Sequence, residues 1–227
     1  HAVLINNDAE LEADTLERLV AEAERRPAAA FVGAAQRLPD GSVNGPIFHF
    51  RWSDGRVHLE SKGGRAVEEP FIAACVMLVR REAYERLGGL DETFFMYCED
   101  VEWSMRARRA GYELGGSRDI VVRHGLSQSS GGGDSPFVLY YNARNRFKLA
   151  PLAPAPWRFR IGTIARSIGQ ARRRARRGDP AAARAILAGT WEGVRGRFGR
   201  GMKEAGFFAR LLARVLGLGA GAPTSPA

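Results

Sequence analysis

Gly88-Gly89-Leu90-Asp91-Glu92-Thr93-Phe94-Phe95-Met96-Tyr97-Cys98-Glu99-Asp100 joins two short helical runs. Upstream, Phe71 to Val79 is an apolar run bounded by Pro70 and Arg80-Arg81, which predicts a buried strand. Glu82 to Leu87 then predicts a short helix closed by Gly88-Gly89. Downstream, Glu99 to Ala110 predicts a second helix, with Val101 and Met105 on one face and Gly111 as its stop. Glu99 and Asp100 thus stand in a helix's first turn. Amide dipoles there favour negative charge and keep a carboxylate ready to accept a proton. Capping and dipole compensation account for the same pair. Phe94 to Tyr97 reads as core plus one pocket wall, and Cys98 as a small packing residue.

Ala2-Val3-Leu4-Ile5 predicts a strand that stops at the polar turn Asn6-Asn7-Asp8. Asp14, with Glu17 three residues on, has the form of a capping box, and Pro27 ends the helix that follows. Ala30 to Gly33 predicts a second strand, and residues 42–68 a loop with room for a hairpin. Asp119 to His124 predicts another strand, Ser127 to Asp134 a Ser/Gly-rich loop able to act as a lid or a plain connection, and Phe137 to Leu149 a helix. Strands alternating with helices predict a layered α/β fold. In open α/β sheets, ligands gather at the carboxyl ends of strands. Asp8 and His124 both end strands, where a carboxylate and an imidazole suit Mg²⁺ or Mn²⁺. An Asn/Asp turn and a lone histidine are also ordinary structural features.

The chain has 227 residues, about one and a half times a typical ~150-residue domain. Two cysteines exclude a disulfide framework and a four-cysteine zinc site. No apolar run reaches the ~20 residues of a membrane-spanning helix. The net charge of +9 is unevenly placed. Residues 156–227 carry 15 Lys and Arg against 3 Asp and Glu, whereas residues 1–155 have a net charge of −3. The basic character therefore belongs to the last third.

Three motifs now stand in order. They are strand–Asn-Asn-Asp, the Gly88–Asp100 stretch continued through Arg106 to Gly111, and strand–Arg-His followed by Tyr141-Asn142-Ala143-Arg144-Asn145. Together they resemble the family-2 glycosyltransferases, particularly the rhamnosyltransferase-like branch that builds bacterial surface polysaccharides. The resemblance covers about Ala2 to Lys148. It implies a GT-A fold: a Rossmann-like mixed sheet flanked by helices that binds a nucleotide-sugar, with a divalent metal (Mg²⁺ or Mn²⁺) on the diphosphate.

In that picture Asp8 matches the last acid of the family's Asp-X-Asp metal motif. Asn6 replaces the first acid, so the metal rests on fewer charges. His124 completes the metal site. Asp100 is the catalytic base, with Glu99 beside it. Asn6, Asn7, Arg144 and Asn145 lie near the nucleotide-sugar diphosphate, and Asp91 and Trp103 line the acceptor side. The implied reaction is inverting transfer of a sugar, dTDP-rhamnose being one candidate donor, to a hydroxyl of a cell-surface glycan or lipid-linked acceptor. The resemblance also implies nucleotide-binding βα units upstream of His1. It places this chain as the C-terminal part of a longer protein, a partial GT-A domain over 1–150 with a basic helical extension over 151–227. On that reading the isolated chain binds nucleotide-sugar poorly.

In the extension, Ile161, Ile164, Ala165 and Ile168 precede Arg172-Arg173-Arg174-Ala175-Arg176-Arg177 at helical spacing, and further apolar residues follow to Val215. Residues 157–214 read as basic amphipathic helices suited to an anionic membrane surface, which implies a cytoplasmic protein peripheral at the inner face of the bacterial plasma membrane. Helices packed on the catalytic body with a solvated arginine face fit the same pattern. No recognition motif accompanies the arginines, so nucleic acid ranks last as a partner. The alternative function is a non-catalytic basic binding module on a degenerate α/β body.

Overall fold

Ala2–Ile5 forms strand β1, and antiparallel pairing with Val76–Val79, strand β8, defines the start of the sheet in a computed structural model that describes residues 1–59, 68–125 and 132–201. The remaining strands are β2 (Ala9–Glu10), β3 (Ala29–Arg37), β4 (Val43–Asn44), β5 (Phe48–Arg51), β6 (Arg56–His58), β7 (Glu68–Phe71) and β9 (Glu113–His124). The helices are α1 (Thr15–Arg25), α2 (Arg81–Leu87), α3 (Glu99–Arg109), α4 (Pro136–Asn145), α5 (Pro156–Arg176) and α6 (Pro180–Val194). The expected loop Ser127–Asp134 falls largely outside the described residues, as does the extension beyond residue 201.

The described residues form two compact units. The first holds residues 1–92 and 98–125, and the second holds 93–97 and 132–201. This division falls before residue 150, because α4 packs with α5 and α6 through Leu139, Ala143, Ala171, Ala182 and Ile186.

The first unit is a mixed α/β layer structure, as expected. Its main sheet has the order β1-β8-β3-β9-β2, with β4 beside β3. Alternation along β8 explains the layers. Val76 and Leu78 join Leu19 and Ala23 of α1 on one face, and Met77 and Val79 join Ala83, Trp103 and Ala107 of α2 and α3 on the other. β1 and β3 are both antiparallel to β8, and β9 is parallel to β3. The carboxyl ends of β1, β3 and β9 therefore share one edge of the sheet.

Two expectations change. The predicted strand Phe71–Val79 is broken: β7 ends at Phe71 in a separate three-stranded sheet, and β8 starts at Val76. The backbone between them bonds to side chains instead of a neighbouring strand, with Ile72 N–H donating to Ser104 Oγ at 3.2 Å. The predicted loop 42–68 contains β4, the β5–β6 hairpin and the start of β7. Asp54 pins the hairpin turn by accepting from Arg51 Nε and Nη2 at 3.0 and 2.8 Å. Elsewhere, Asp14 precedes α1 but makes no side-chain cap bond, and it faces Arg18 at 3.7 Å. The helix stops hold: Gly88 and Gly111 have φ of 74° and 90°, the left-handed region that glycine enters without steric cost.

In the second unit, α4 and α6 approach so closely that a Cβ at Gly189 would lie 2.2 Å from the Tyr140 carbonyl oxygen. Alanine normally stabilises a helix interior relative to glycine by ~1 kcal/mol. Here overpacking reverses the sign. Gly189→Ala is expected to destabilise the protein by about 1–3 kcal/mol in a urea titration.

Candidate functional site

The turn after β1 is tied down at both ends. Asn6 N–H donates to the Cys75 carbonyl at 2.8 Å, and Ala9 N–H donates back to the Asn6 carbonyl at 3.1 Å. The β2–β9 ladder pairs Ala9 with His124, and Gly125 N–H donates to the Asp8 carbonyl at 3.0 Å. These bonds place Asp8 Oδ1 3.5 Å from His124 Nε2. On the other side of the ring, Nδ1 lies 3.1 Å from Gln36 Oε1. With the amide oxygen accepting, Nδ1 carries the hydrogen and Nε2 faces the Asp8 carboxylate. Nitrogen and carboxylate are placed to hold a cation between them, either a proton or a metal ion.

A carboxylate oxygen and an oriented imidazole nitrogen fit a divalent ion such as Mg²⁺ or Mn²⁺, and Gln36 holds the ring from behind. Among the described residues, no group of three His, Cys, Asp or Glu side chains gathers as a complete cage. The other ligands of an ion here would come from substrate or water, as is usual for Mg²⁺. Asp8 and His124 open on a cavity of about 540 Å³, lined also by Asn7, Arg37, Gly41 and Arg123. Arg37, which was not singled out in the sequence, brings it a positive charge, while Arg123 lies 3.6 Å from Glu10, which also lines the cavity. The position of Arg37 at the carboxyl end of β3 is the signal that could have found it.

The carboxylates of α3 meet the same stretch of backbone. Asp100 Oδ2 accepts from Ala74 N–H at 3.3 Å, and Oδ1 accepts from Val101 N–H at 2.8 Å. Burial raises the Asp100 pKa above the ordinary carboxylate value, against the pull of those N–H groups. The Glu99 carboxyl is pushed up to about 7 by burial and by the neighbouring Asp100 charge. Its Oε2 is buried without a hydrogen-bond partner among the described residues. Next to Ala74, burial and the Asp8 charge push the Cys75 thiol up to about 12, so it is an inert thiol. Ala74-Cys75 thus connects the two acidic sites. Ala74 holds Asp100, while Cys75 holds the Asp8 turn through Asn6. The Asp8–His124 cavity itself is not lined by Glu99 or Asp100.

Other predicted residues lie elsewhere. Trp103, expected on the acceptor side, is core: it is 2% exposed, its ring centroid lies 4.4 Å from that of Phe31, and its Nε1 donates to the Gly88 carbonyl. Arg144 and Asn145, expected near a diphosphate, are buried within the second unit. Asn145 Nδ2 donates to the carbonyls of Phe94, Met96 and Tyr97 at 3.0, 2.7 and 2.8 Å. Arg144 Nη2 donates to the Phe94 carbonyl, and Arg144 Nε donates to Asn145 Oδ1. Both side chains are buried and bond to main-chain carbonyls and to each other. Asn6 and Asn7 are exposed in their turn, and Asp91 is half-buried between α2 and the short 3₁₀ turn Glu92–Phe94.

Two measurements check this arrangement. Glu99 has a folded pKa above its ordinary 4.5, so protonated Glu99 contributes stability that is fully present below about 4.5 and lost as pH rises through about 7. Thermal melting is expected to show Tm falling over that window. Glu99→Gln should shallow the fall without abolishing it, since the Asp100 pKa is also raised. Asn145→Leu removes the amide that bonds the Phe94, Met96 and Tyr97 carbonyls, of which Phe94 keeps Arg144, and is expected to cost about 3 kcal/mol by denaturant titration.

No known family profile matches the chain. Curated relatives do. The chain is 32% identical over 71 residues to the low-salt glycan biosynthesis hexosyltransferase Agl10 of Haloferax volcanii, covering 31% of this chain and 23% of that protein. It is 26% identical over 180 residues to the N-acetylglucosaminyl-diphospho-decaprenol L-rhamnosyltransferase of Mycobacterium tuberculosis, covering 69% of this chain and 57% of that protein. It is 35% identical over 78 residues to the O-antigen biosynthesis protein RfbC of Myxococcus xanthus, covering 34% of this chain and 5% of that protein. The chain therefore spans between about a twentieth and somewhat over half of these relatives. The resemblance read from the motifs has curated counterparts: the relatives are glycosyltransferases and proteins of glycan assembly.

Proposed function

We propose that this chain carries the metal and acceptor half of an inverting glycosyltransferase with a GT-A fold. The observation that carries the reading is the junction at Ala74-Cys75, which anchors the Asp8 turn on one side and Asp100 on the other. A cation-seeking pair and a proton-accepting pair are thereby fixed to one segment of a single unit.

The donor is a nucleotide-diphosphate sugar, dTDP-rhamnose being one candidate. The acceptor is a hydroxyl of a cell-surface or lipid-linked glycan. The Mycobacterium relative, named for rhamnosyl transfer onto a diphospho-decaprenol carrier, supports both choices. Asp8 and His124 would hold a Mg²⁺ or Mn²⁺ ion. Bound there, the ion supplies Lewis-acid compensation for the charge that grows on the leaving diphosphate. Arg37 adds positive charge to the same cavity.

Proton removal falls to Glu99 and Asp100. A general base works best with a pKa near the operating pH, and the Glu99 carboxyl at about 7 meets that condition. Asp100, held by two main-chain N–H groups, adds its charge to the burial that raises Glu99 and is the second carboxylate able to take the proton. The proton leaves the acceptor hydroxyl as that oxygen attacks the anomeric carbon. One displacement inverts the centre, and no enzyme nucleophile is required. The protein works at the inner face of the bacterial plasma membrane, on the cytoplasmic side, where such acceptors are built.

The test is Asp100→Asn in the full-length protein, assayed by release of nucleoside diphosphate. Turnover is expected to fall by about 10²–10⁴-fold while the melting curve and circular dichroism keep the wild-type form. Unchanged turnover in a folded variant defeats the base assignment.

A further inference from the structure

We infer that one face of α5 is a docking surface for an anionic phospholipid bilayer. The face is defined by what α5 buries. Phe159, Thr163, Ser167 and Ala171 recur every four residues and are buried within the helical unit. Rotating away from them brings Trp157, 62% exposed, and Ile161, 59% exposed, to the surface. These are the most exposed large apolar side chains among the described residues. Ile164 and Ile168 continue the stripe at helical spacing and are half-buried. With 21 residues, the helix is about 30 Å long.

Charge surrounds this stripe. From residue 156 to 177 the chain has eight arginines and no acidic residue. Arg174 is turned to Asp134 and Asp179. Arg158, Arg160, Arg172, Arg173, Arg176 and Arg177 are exposed, and no ion pair engages them among the described residues. The Arg158 guanidinium lies over the Trp157 ring, 5.1 Å from its centroid. No described helix is long and apolar enough to cross a membrane, so α5 would lie along the surface. In that posture the arginines meet lipid phosphates, and Trp157 and Ile161 enter the headgroup–acyl boundary. Arginines alone would serve any polyanion. An exposed tryptophan and isoleucine between them favour a partner with an apolar layer beneath its charges.

This inference goes beyond sugar transfer and does not rest on it, because the experiment reads binding and not turnover. The whole chain is sedimented with vesicles of phosphatidylcholine alone, and with vesicles containing one third phosphatidylglycerol, at matched salt. Binding to the anionic vesicles only is expected, with Trp157 emission shifted to the blue and quenched by brominated acyl chains. Trp157→Ser with Ile161→Ser should weaken partitioning about tenfold. Replacing Arg172, Arg173 and Arg176 by Gln should weaken it about fivefold for each arginine. All five side chains are exposed or at the helix end, so melting curves should not move. Equal binding to neutral vesicles overturns the proposal, as does binding that survives both sets of substitutions. Tighter binding to duplex DNA than to the anionic vesicles at the same salt also overturns it. So does a self-association that the Trp157/Ile161 variant abolishes while vesicle binding persists.

Discussion

The hydrogen bond from Ala74 N–H to Asp100 sets the local geometry on which the candidate site depends. The segment Ile72–Cys75 lies between strands of two different sheets and cannot satisfy its backbone by ladder pairing. Its N–H groups go to α3 instead, Ile72 to Ser104 and Ala74 to Asp100. Buried backbone donors are almost always paired, so the break in the strand and the polar residues of α3 imply one another. Lose the carboxylate, and the segment that also carries the Asp8 turn loses a fixed point.

Two close pairs of ionisable groups stand within the first unit. Glu99 and Asp100 are adjacent acids in a partly buried setting, and each makes ionisation of the other more costly. Asp8 Oδ1 and His124 Nε2 lie 3.5 Å apart. The Glu99–Asp100 arrangement is not what stability alone would select, because apolar substitutes of similar shape would remove the desolvation cost. Strain of this kind collects where a proton or a cation is handled. Both pairs are attached at Ala74-Cys75, which links them mechanically without requiring that they line the same wall.

The readable parts of the sequence were those where local chemistry and tertiary packing agree. β1, α1, α2 and α3 appear close to their expected bounds because apolar periodicity, Pro27, Gly88 and Gly111 all point one way. The sheet of β5, β6 and β7 was legible only as a loop with room for a hairpin. Its strands are three or four residues long and carry Arg51, Arg56, Glu68 and Glu69, so alternation is masked by charge. Asp8 and His124 were legible as strand-end residues. Gln36 was not, since it contacts His124 across 88 residues of chain and sits in an otherwise small, apolar strand. Trp103 was placed on the acceptor side by the resemblance alone, whereas α3 turns it to Phe31. Arg144-Asn145 was likewise placed near a diphosphate by the resemblance, and its acceptors here are main-chain carbonyls.

Those carbonyls explain an otherwise costly conformation. Phe95, Tyr97 and Cys98 have φ of 66°, 68° and 71°, the left-handed region that bulky residues seldom enter. Each costs on the order of 1–3 kcal/mol. Repeated reversal of the chain turns the oxygens of Phe94, Met96 and Tyr97 inward, close enough to share one amide, that of Asn145. Arg144 fixes the other end of that amide, so it acts on the loop through Asn145 as well as directly. Glycine would take the same angles more cheaply, but it would forfeit what the aromatics return. The Phe95 ring lies 5.2 Å from Tyr141, and Tyr97 packs with Tyr140 and Tyr141 in one apolar cluster. Backbone strain, a shared amide and ring packing thus offset one another within a few residues. The segment they hold is the one that runs directly into Glu99 and Asp100.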